Sequence, residues 1–491
     1  MSRELARRAG SAVVWRSAAL AGEKLIFLVR LIILARILAP SDFGLVAIGM
    51  AAMILMVTLT DLGVVSALVQ NPARDKNHLD TAWTLSVVRG VLVALVLFFA
   101  APLIAGAFGE PAAKPFVQAM AVTFMLRATA SIGIAQLNRE LHFRSLAFMG
   151  LATALVNTVV AVALAGSLGP WSLVWGSIAG AVTFLATSFV AAPYSPRFRL
   201  DLDAVRSIMR FGRWMFLIGI IAVLSDTVLR LIITRQLGVA ELGLFFMAAR
   251  LGFLPAQLIS EIIGTVAFPV YAHLQDNREK AANIYRKLLL ATSAMMIPAC
   301  TVFLFLTPAI VTELLGERWQ GTIVVLQFLI ASTMVGVLVE SIAPLMKGIG
   351  QPAKLVGMDS VQFLVLVGLG WVLVDRFGLT GAGLAWFGSI LAQQFMAYFH
   401  ARRLLGHPFR GVGRVFLAIC LSAAVATAIA VRIVDAIAGI AGILVAVAGA
   451  IVSTLLIMAF LDQRSGLGLR QILAEPFPWA ARFGKMRHVE D

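Results

Sequence analysis

The sequence predicts an all-α integral membrane protein of about fourteen transmembrane helices. Composition is the first reason. The 491 residues are 60% hydrophobic and 13% charged, with mean hydropathy +0.94, whereas soluble domains run about 45–50% apolar and about 25% charged. The second reason is patterning. The apolar residues collect in runs of the length that crosses a bilayer, roughly 20 residues. These spans fall at 11–38, 42–70, 79–107, 113–136, 146–168, 171–194, 207–235, 240–270, 283–308, 319–347, 353–376, 380–405, 411–434 and 438–462. A transmembrane barrel would alternate polar and apolar residues, and these runs do not.

Loop charge orients the spans. With the N-terminus inside, the inside segments hold 27 of the 40 Lys and Arg and the outside loops hold 6. Cytoplasmic loops carry the excess of basic residues, so both termini are expected in the cytoplasm. Trp171, Trp319 and Trp371 fall near the outer boundary, where an aromatic belt is expected. The same topology accounts for the net charge of +15 without nucleic acid as a partner. The N-terminal run carries Arg16, Glu23, Lys24 and Arg30 and no convincing cleavage site, so it is read as a retained first span.

Function classes drop out by what the chain lacks. Cys300 and Cys420 sit inside apolar runs, which excludes a disulfide framework and a cysteine metal site. None of the six histidines has metal-ligand spacing. No P-loop, nucleophile elbow or large outer catalytic loop appears, so neither an enzyme nor a bound cofactor is expected.

The chain also repeats weakly. Shifted by 199, VRLIILARILAPSDFGL (29–45) overlays VLRLIITRQLGVAELGL (228–244), matching Arg36 with Arg235 and Gly44 with Gly243 and keeping the charge of Asp42 at Glu241. At a shift of 208, IAQLNR (134–139) overlays IAPLMK (342–347). Six spans separate the copies, so both face the same way. Parallel repeats of this kind bind substrate between lobes near mid-membrane. The expected organisation is an N-terminal lobe at 1–200 (spans 1–6) and a C-terminal lobe at 201–405 (spans 7–12). Extra spans 13 and 14 follow at 406–462, then a cytoplasmic tail at 463–491.

Charges inside spans are the candidate site, because each costs several kcal/mol at bilayer depth (about 2.5–3.5 on insertion scales) and persists where a wet cavity or a partner receives it. Arg16, Glu23 and Arg30 are seven apart on one face of span 1, with Lys24 one step around. Asp226 and Arg230 share a face of span 7, and Arg250, Gln257 and Glu261 form a stripe on span 8. Asp61, Arg89, Arg127, Glu340 and Asp359 are more scattered. Two readings stand. In one, Lys24, Arg30, Arg230, Arg250, Arg16, Arg89, Arg127 and Gln257 line a cationic cavity for an anionic headgroup such as pyrophosphate. Glu23, Asp61, Asp226, Glu261, Glu340 and Asp359 then take up H⁺ or Na⁺. In the other, these groups pair structurally or snorkel to the interface. Pro255, Pro298 and Pro344 fall within spans, where proline kinks a helix.

RILAPSDFGLVAIGMAAMILMVTLTDLGVVSALVQ (36–70) and QLNRELHFRSLAFMGLATALVNTVVAVAL (136–164) resemble the Wzx-like polysaccharide repeat-unit flippases. These belong to the multidrug/oligosaccharidyl-lipid/polysaccharide exporter superfamily, and the likeness covers roughly 10–405. The resemblance implies two six-helix lobes in a V around a central cavity. It implies transfer of an undecaprenyl-pyrophosphate-linked oligosaccharide from the cytoplasmic to the periplasmic leaflet of a bacterial inner membrane, for exopolysaccharide or lipopolysaccharide synthesis. It also implies alternating access coupled to an ion gradient. The partners it implies are the lipid-linked oligosaccharide, membrane lipids, and polymerase or export machinery. Related lipid II flippases carry cavity-facing basic residues on their first and eighth helices, and Lys24, Arg30 and Arg250 occupy comparable places. A multidrug cation antiporter of the same superfamily is the nearest alternative, and a membrane glycan polymerase or ligase the next.

Overall fold

The computed structural model describes residues 2–60, 76–140, 142–199, 213–257, 271, 278–409 and 412–465, with backbone alone for 2–18, 76–78, 139, 213–215, 278 and 461–465. Every regular element among these residues is helical. Contacts divide the chain into two compact units, Met1–Gly243 and Leu244–Asp491.

The first unit holds α1 (Ser2–Ile37), α2 (Pro40–Leu59), α3 (Lys76–Phe108), α4 (Lys114–Ala128) and the short α5 (Ile134–Arg139). It continues with α6 (Phe143–Leu168), α7 (Trp171–Ala191), α8 (Arg213–Leu237) and the start of α9 (Val239–Gly252). α6 packs on α7 and α1, α3 on α4, and α2 on α4 and α8. After α7 the chain is tied to the start of α3. The Arg197 N–H donates to Asp80 Oδ1 at 3.3 Å, the Arg199 N–H donates to Thr84 Oγ1 at 3.0 Å, and the Tyr194 hydroxyl donates to Asp80.

The second unit holds α10 (Arg278–Ile310), α11 (Thr322–Val335), α12 (Val337–Gly348), α13 (Pro352–Leu405), α14 (Val412–Ala436) and α15 (Gly439–Ser465). α13 is two antiparallel arms rather than one rod. The chain reverses at Gly378, whose φ of 59° and ψ of −141° suit glycine. A Cβ on Gly381 would lie 1.8 Å from the Leu373 carbonyl oxygen. The two arms coincide with the predicted spans 353–376 and 380–405.

Helix faces show what solvates them. On α3, Val93, Leu97, Ala101 and Ala105 are buried, while Leu92, Val96, Phe99 and Leu103 are 57%, 50%, 72% and 78% exposed. Both stripes follow helical spacing and both are apolar. A helix apolar all round lies in a membrane or a large core, and an outward stripe of this kind on a soluble protein would aggregate. Buried faces instead carry small residues. Ala426 and Ala430 of α14 meet Ala446 and Ala450 of α15. Lipid supplies no hydrophobic drive between helices, so close backbone approach takes over.

Ten helices among the described residues are long and apolar enough to cross a membrane, or eleven with α11 and α12 counted as one bent span. α13 counts once among the ten. α1 and α4 coincide with predicted spans 1 and 4 but fall outside the ten, α1 through its charges and α4 through its 15 residues. The protein is a multi-span membrane protein, and the figure of fourteen rests on the sequence.

Span 10 bends by 47° between Val335 and Val337, at Gly336, and Pro344 lies inside α12. One local expectation is corrected. Trp319 is fully buried rather than in an aromatic belt, because it follows the left-handed Gly316 in a tight 3₁₀ turn. Trp371, at 59% exposed, does face outward.

The repeat has a local structural counterpart. α1 breaks before α2 at Pro40, and α8 breaks before α9 at Val239, the position that the shift of 199 pairs with Pro40. Each break starts a helix with an acidic residue in its first turn, Asp42 and Glu241, where the helix dipole favours it. The two starts cross within the first unit. A Cβ on Gly44 would lie 2.0 Å from the Val239 carbonyl oxygen, and one on Gly243 would lie 1.7 Å from the Pro40 carbonyl oxygen. The contact is reciprocal under the repeat, each glycine facing the other copy's first helical residue.

Candidate functional site

The described residues singled out in the sequence fall in both units. In the first unit the stripe of α1 runs along α6. Glu23 covers Gly150, so that a Cβ there would meet Glu23 Oε1 at 1.8 Å. Seven residues on, Arg30 Nη1 donates to Asn157 Oδ1 at 2.5 Å. Steps of seven on both helices keep the two pairs in register. Asn157 can stand there because α7 gives way behind it. A Cβ on Gly176 would lie 2.9 Å from Asn157 Oδ1, and one on Gly180 would lie 3.1 Å from Asn157 Cβ. These two glycines form a Gly-x-x-x-Gly pair, the small-residue spacing that lets membrane helices touch.

The Arg30 guanidinium also lies 5.3 Å from the centroid of the Phe27 ring. Among the described residues no carboxylate lies within ion-pair distance of it. Asn157 is a neutral ligand that uses part of a fork of five N–H donors. Arg30 is thus an intramembrane cation held in place by a neutral ligand, with no counter-charge among the described residues. Lys24 and Glu23 are half-buried beside it on α1, and the Arg16 side chain lies outside the described residues.

Arg230 contrasts with Arg30. Its Nε lies 2.7 Å from Asp226 Oδ2 and its Nη2 donates to Asp226 Oδ1 at 3.0 Å, with Arg230 only 8% exposed. This geometry matches the pairing reading. Removing one partner of a buried pair typically costs about 3–5 kcal/mol. Asp226→Asn is therefore expected to lower the melting temperature of the purified protein sharply. The exchanged pair D226R/R230D is expected to recover part of that loss. An unchanged melting temperature in D226N would rule out a structural pair.

Arg89 also serves structure. Its Nη2 donates to the Val57 carbonyl at 2.6 Å and its Nε to Thr60 Oγ1 at 3.1 Å, closing the C-terminus of α2, where cations are favoured. It lies 5.6 Å from the Phe124 ring, and the exposed Arg127 lies 5.2 Å from the Phe184 ring. Asp61 lies outside the described residues. In the second unit Arg250 is half-buried, 4.9 Å from the Phe246 ring, and Gln257 is exposed. Glu261 lies outside the described residues. Glu340 is half-buried on α12. Asp359 accepts from Gln393 Nε2 at 2.7 Å across the arms of α13.

Sequence reading missed the neutral partners. Asn157, Gln393 and Gln394, whose Oε1 accepts from the Val339 N–H at 3.1 Å, stand in apolar runs as conspicuously as the charges do. Arg235, matched with Arg36 in the repeat, donates to the carbonyls of Gly106 and Ala107 at 2.7 and 2.5 Å and so caps α3.

These features define a class, a polytopic helical membrane protein with intramembrane cations. Among solved structures, the protein titled "Lipid II flippase MurJ, inward closed conformation" matches with a TM-score of 0.72 at 15% identity. The match covers 92% of this chain and 99% of that one, and at this identity it shows the fold alone. The model of the polysaccharide biosynthesis protein family (Polysacc_synt_3) matches residues 33–324, more than half of the chain, and the chain belongs to that family. It is 27% identical over 308 residues to the lipopolysaccharide biosynthesis protein WzxC of Escherichia coli (strain K12), covering 62% of each chain. It is 25% identical over 351 residues to the succinoglycan biosynthesis transport protein ExoT of Rhizobium meliloti (strain 1021), covering 71% of this chain and 68% of ExoT. The chain thus spans less than two thirds of the length of WzxC.

Proposed function

We propose that this protein is a flippase for undecaprenyl-pyrophosphate-linked oligosaccharide repeat units. It moves them from the cytoplasmic to the periplasmic leaflet of a bacterial inner membrane, and both of its termini are cytoplasmic. Membership of a polysaccharide biosynthesis family, and relatives named for lipopolysaccharide and succinoglycan synthesis, support the substrate class. The observation that carries the reading is Arg30. A guanidinium in a membrane helix costs several kcal/mol, and its bidentate fork suits phosphate oxygens. Held by Asn157 and without a carboxylate among the described residues, it is pre-organised for an anion that arrives.

In this reading the substrate pyrophosphate meets Arg30, with Lys24 as a further cation on the same helix, and the oligosaccharide is carried through alternating access of the lobes 1–200 and 201–405. Arg230 and Arg89 contribute through structure rather than contact. Coupling to H⁺ or Na⁺ is assigned in this reading to the carboxylates Asp359, Glu340 and Glu23. Polymerase or export machinery takes the product.

Deleting the gene tests the substrate class. Lipid-linked repeat units are expected to accumulate on the cytoplasmic side and to clear when the gene is restored. Unchanged pools in cells still making the precursor, with loss of drug resistance instead, would favour the multidrug antiporter.

A further inference from the structure

We propose that the end of the second arm of α13 is a binding site for an anionic diacyl phospholipid. It is separate from the residues assigned to the transported substrate. Here Gly406, at φ 75°, turns the chain out of α13, and its N–H donates to the Arg402 carbonyl at 2.9 Å. The turn folds residues 407–409 back against the helix and encloses an open cavity of about 410 Å³ lined by Tyr398, Arg402, Gly406, His407, Pro408 and Phe409.

Two kinds of chemistry meet in it. Tyr398 and Phe409 stack with centroids 5.0 Å apart and planes 19° apart, and Tyr285 of α10 meets Phe409 edge-on at 6.3 Å. Arg402 and His407 supply the polar rim, and both are exposed. Among the described residues neither has a carboxylate within ion-pair distance. The guanidinium is therefore available to a phosphate oxygen.

The occupant is an amphiphile because the site continues down the helix. Phe395, Phe399 and Arg402 are four and three residues apart, and Tyr398 and Arg402 are four apart, so all lie on one face. Phe395 is 66% exposed and Phe399 40% exposed, and their rings meet edge-on at 4.7 Å. A cation at the helix end above an outward aromatic face matches a lipid, whose phosphate sits at the interface and whose chains run down the helix. A soluble phosphate would use the rim and leave the aromatic face bare.

The test uses the full chain in nanodiscs containing a photo-crosslinkable phosphatidylglycerol or its phosphatidylcholine counterpart, with labelled peptides mapped by mass spectrometry. Labelling of peptides covering 395–409 by phosphatidylglycerol is expected to exceed that by phosphatidylcholine at least fivefold. Arg402→Gln is expected to abolish the difference and Arg402→Lys to retain most of it. Arg402 is exposed, so folding is expected to survive, checked by unchanged melting. Equal labelling by the two lipids, or unchanged labelling in Arg402→Gln, would overturn the proposal. So would complete competition by millimolar glycerol phosphate, which would mark a phosphate-only site, or displacement by undecaprenyl pyrophosphate in preference to phosphatidylglycerol, which would mark a substrate site. Loss of transport with normal lipid labelling would count against the proposed function and leave this site standing.

Discussion

Gly243→Ala is expected to destabilise the protein by about 1–3 kcal/mol, the usual cost of overpacking, and Gly243→Leu by more. The methyl group has no room, because its carbon would lie 1.7 Å from the Pro40 carbonyl oxygen. That obstacle is backbone and cannot rotate away, so α2 and α9 must separate at their starts. Gly44→Ala has the same effect from the other side, against Val239. The two substitutions are therefore expected to couple. Once one has parted the helices, the second costs little, and the double variant melts well above the sum of the single losses. Thermal unfolding of the purified single and double variants measures this. Strict additivity would show that the two glycines do not share one crossing.

Arg30→Gln is expected to reduce transport of lipid-linked repeat units by about 10–150-fold, the equivalent of a charge-assisted hydrogen bond of about 1.5–3 kcal/mol. Membrane insertion and melting are expected to change little, since the substitution removes an expensive intramembrane charge. Arg30→Lys keeps the charge and loses the fork, so it should fall between. Asn157→Val removes the ligand that aims the guanidinium, and a smaller loss of transport is expected, with Arg30 still present. Transport by repeat-unit accumulation in complemented cells, read beside the amount of protein in the membrane, separates these outcomes. Full transport in Arg30→Gln would remove Arg30 from the site.

The sequence makes the membrane class plain because its signal is summed over hundreds of residues. Span boundaries at the α13 reversal were legible because Gly378 and the flanking Arg376 punctuate an otherwise apolar run. The Gly44 and Gly243 match was visible as a repeat, but its reciprocity was not, because nothing in a one-dimensional shift says that two copies touch. The charges were equally easy to find and harder to sort. Spacing puts Asp226 and Arg230 on one face just as it does Glu23 and Arg30, yet the first two close on each other while Arg30 turns to Asn157 on another helix. Neutral partners such as Asn157 and Gln393 escape a search built on charge, although a lone amide in an apolar span carries the same cost argument in weaker form. Trp319 shows the limit of boundary reasoning, since its position along the chain fits a belt and its local turn buries it.

The most direct test of the central claim is reconstitution. The full chain is placed in vesicles with an undecaprenyl-pyrophosphate-linked repeat unit, and the fraction of its sugar reached by an external glycosidase is followed over time. Wild-type protein is expected to expose the inner-leaflet pool, and Arg30→Gln protein to do so at least tenfold more slowly. Exposure of only the outer-leaflet pool by folded wild-type protein, under every ion gradient imposed, would contradict the flippase account.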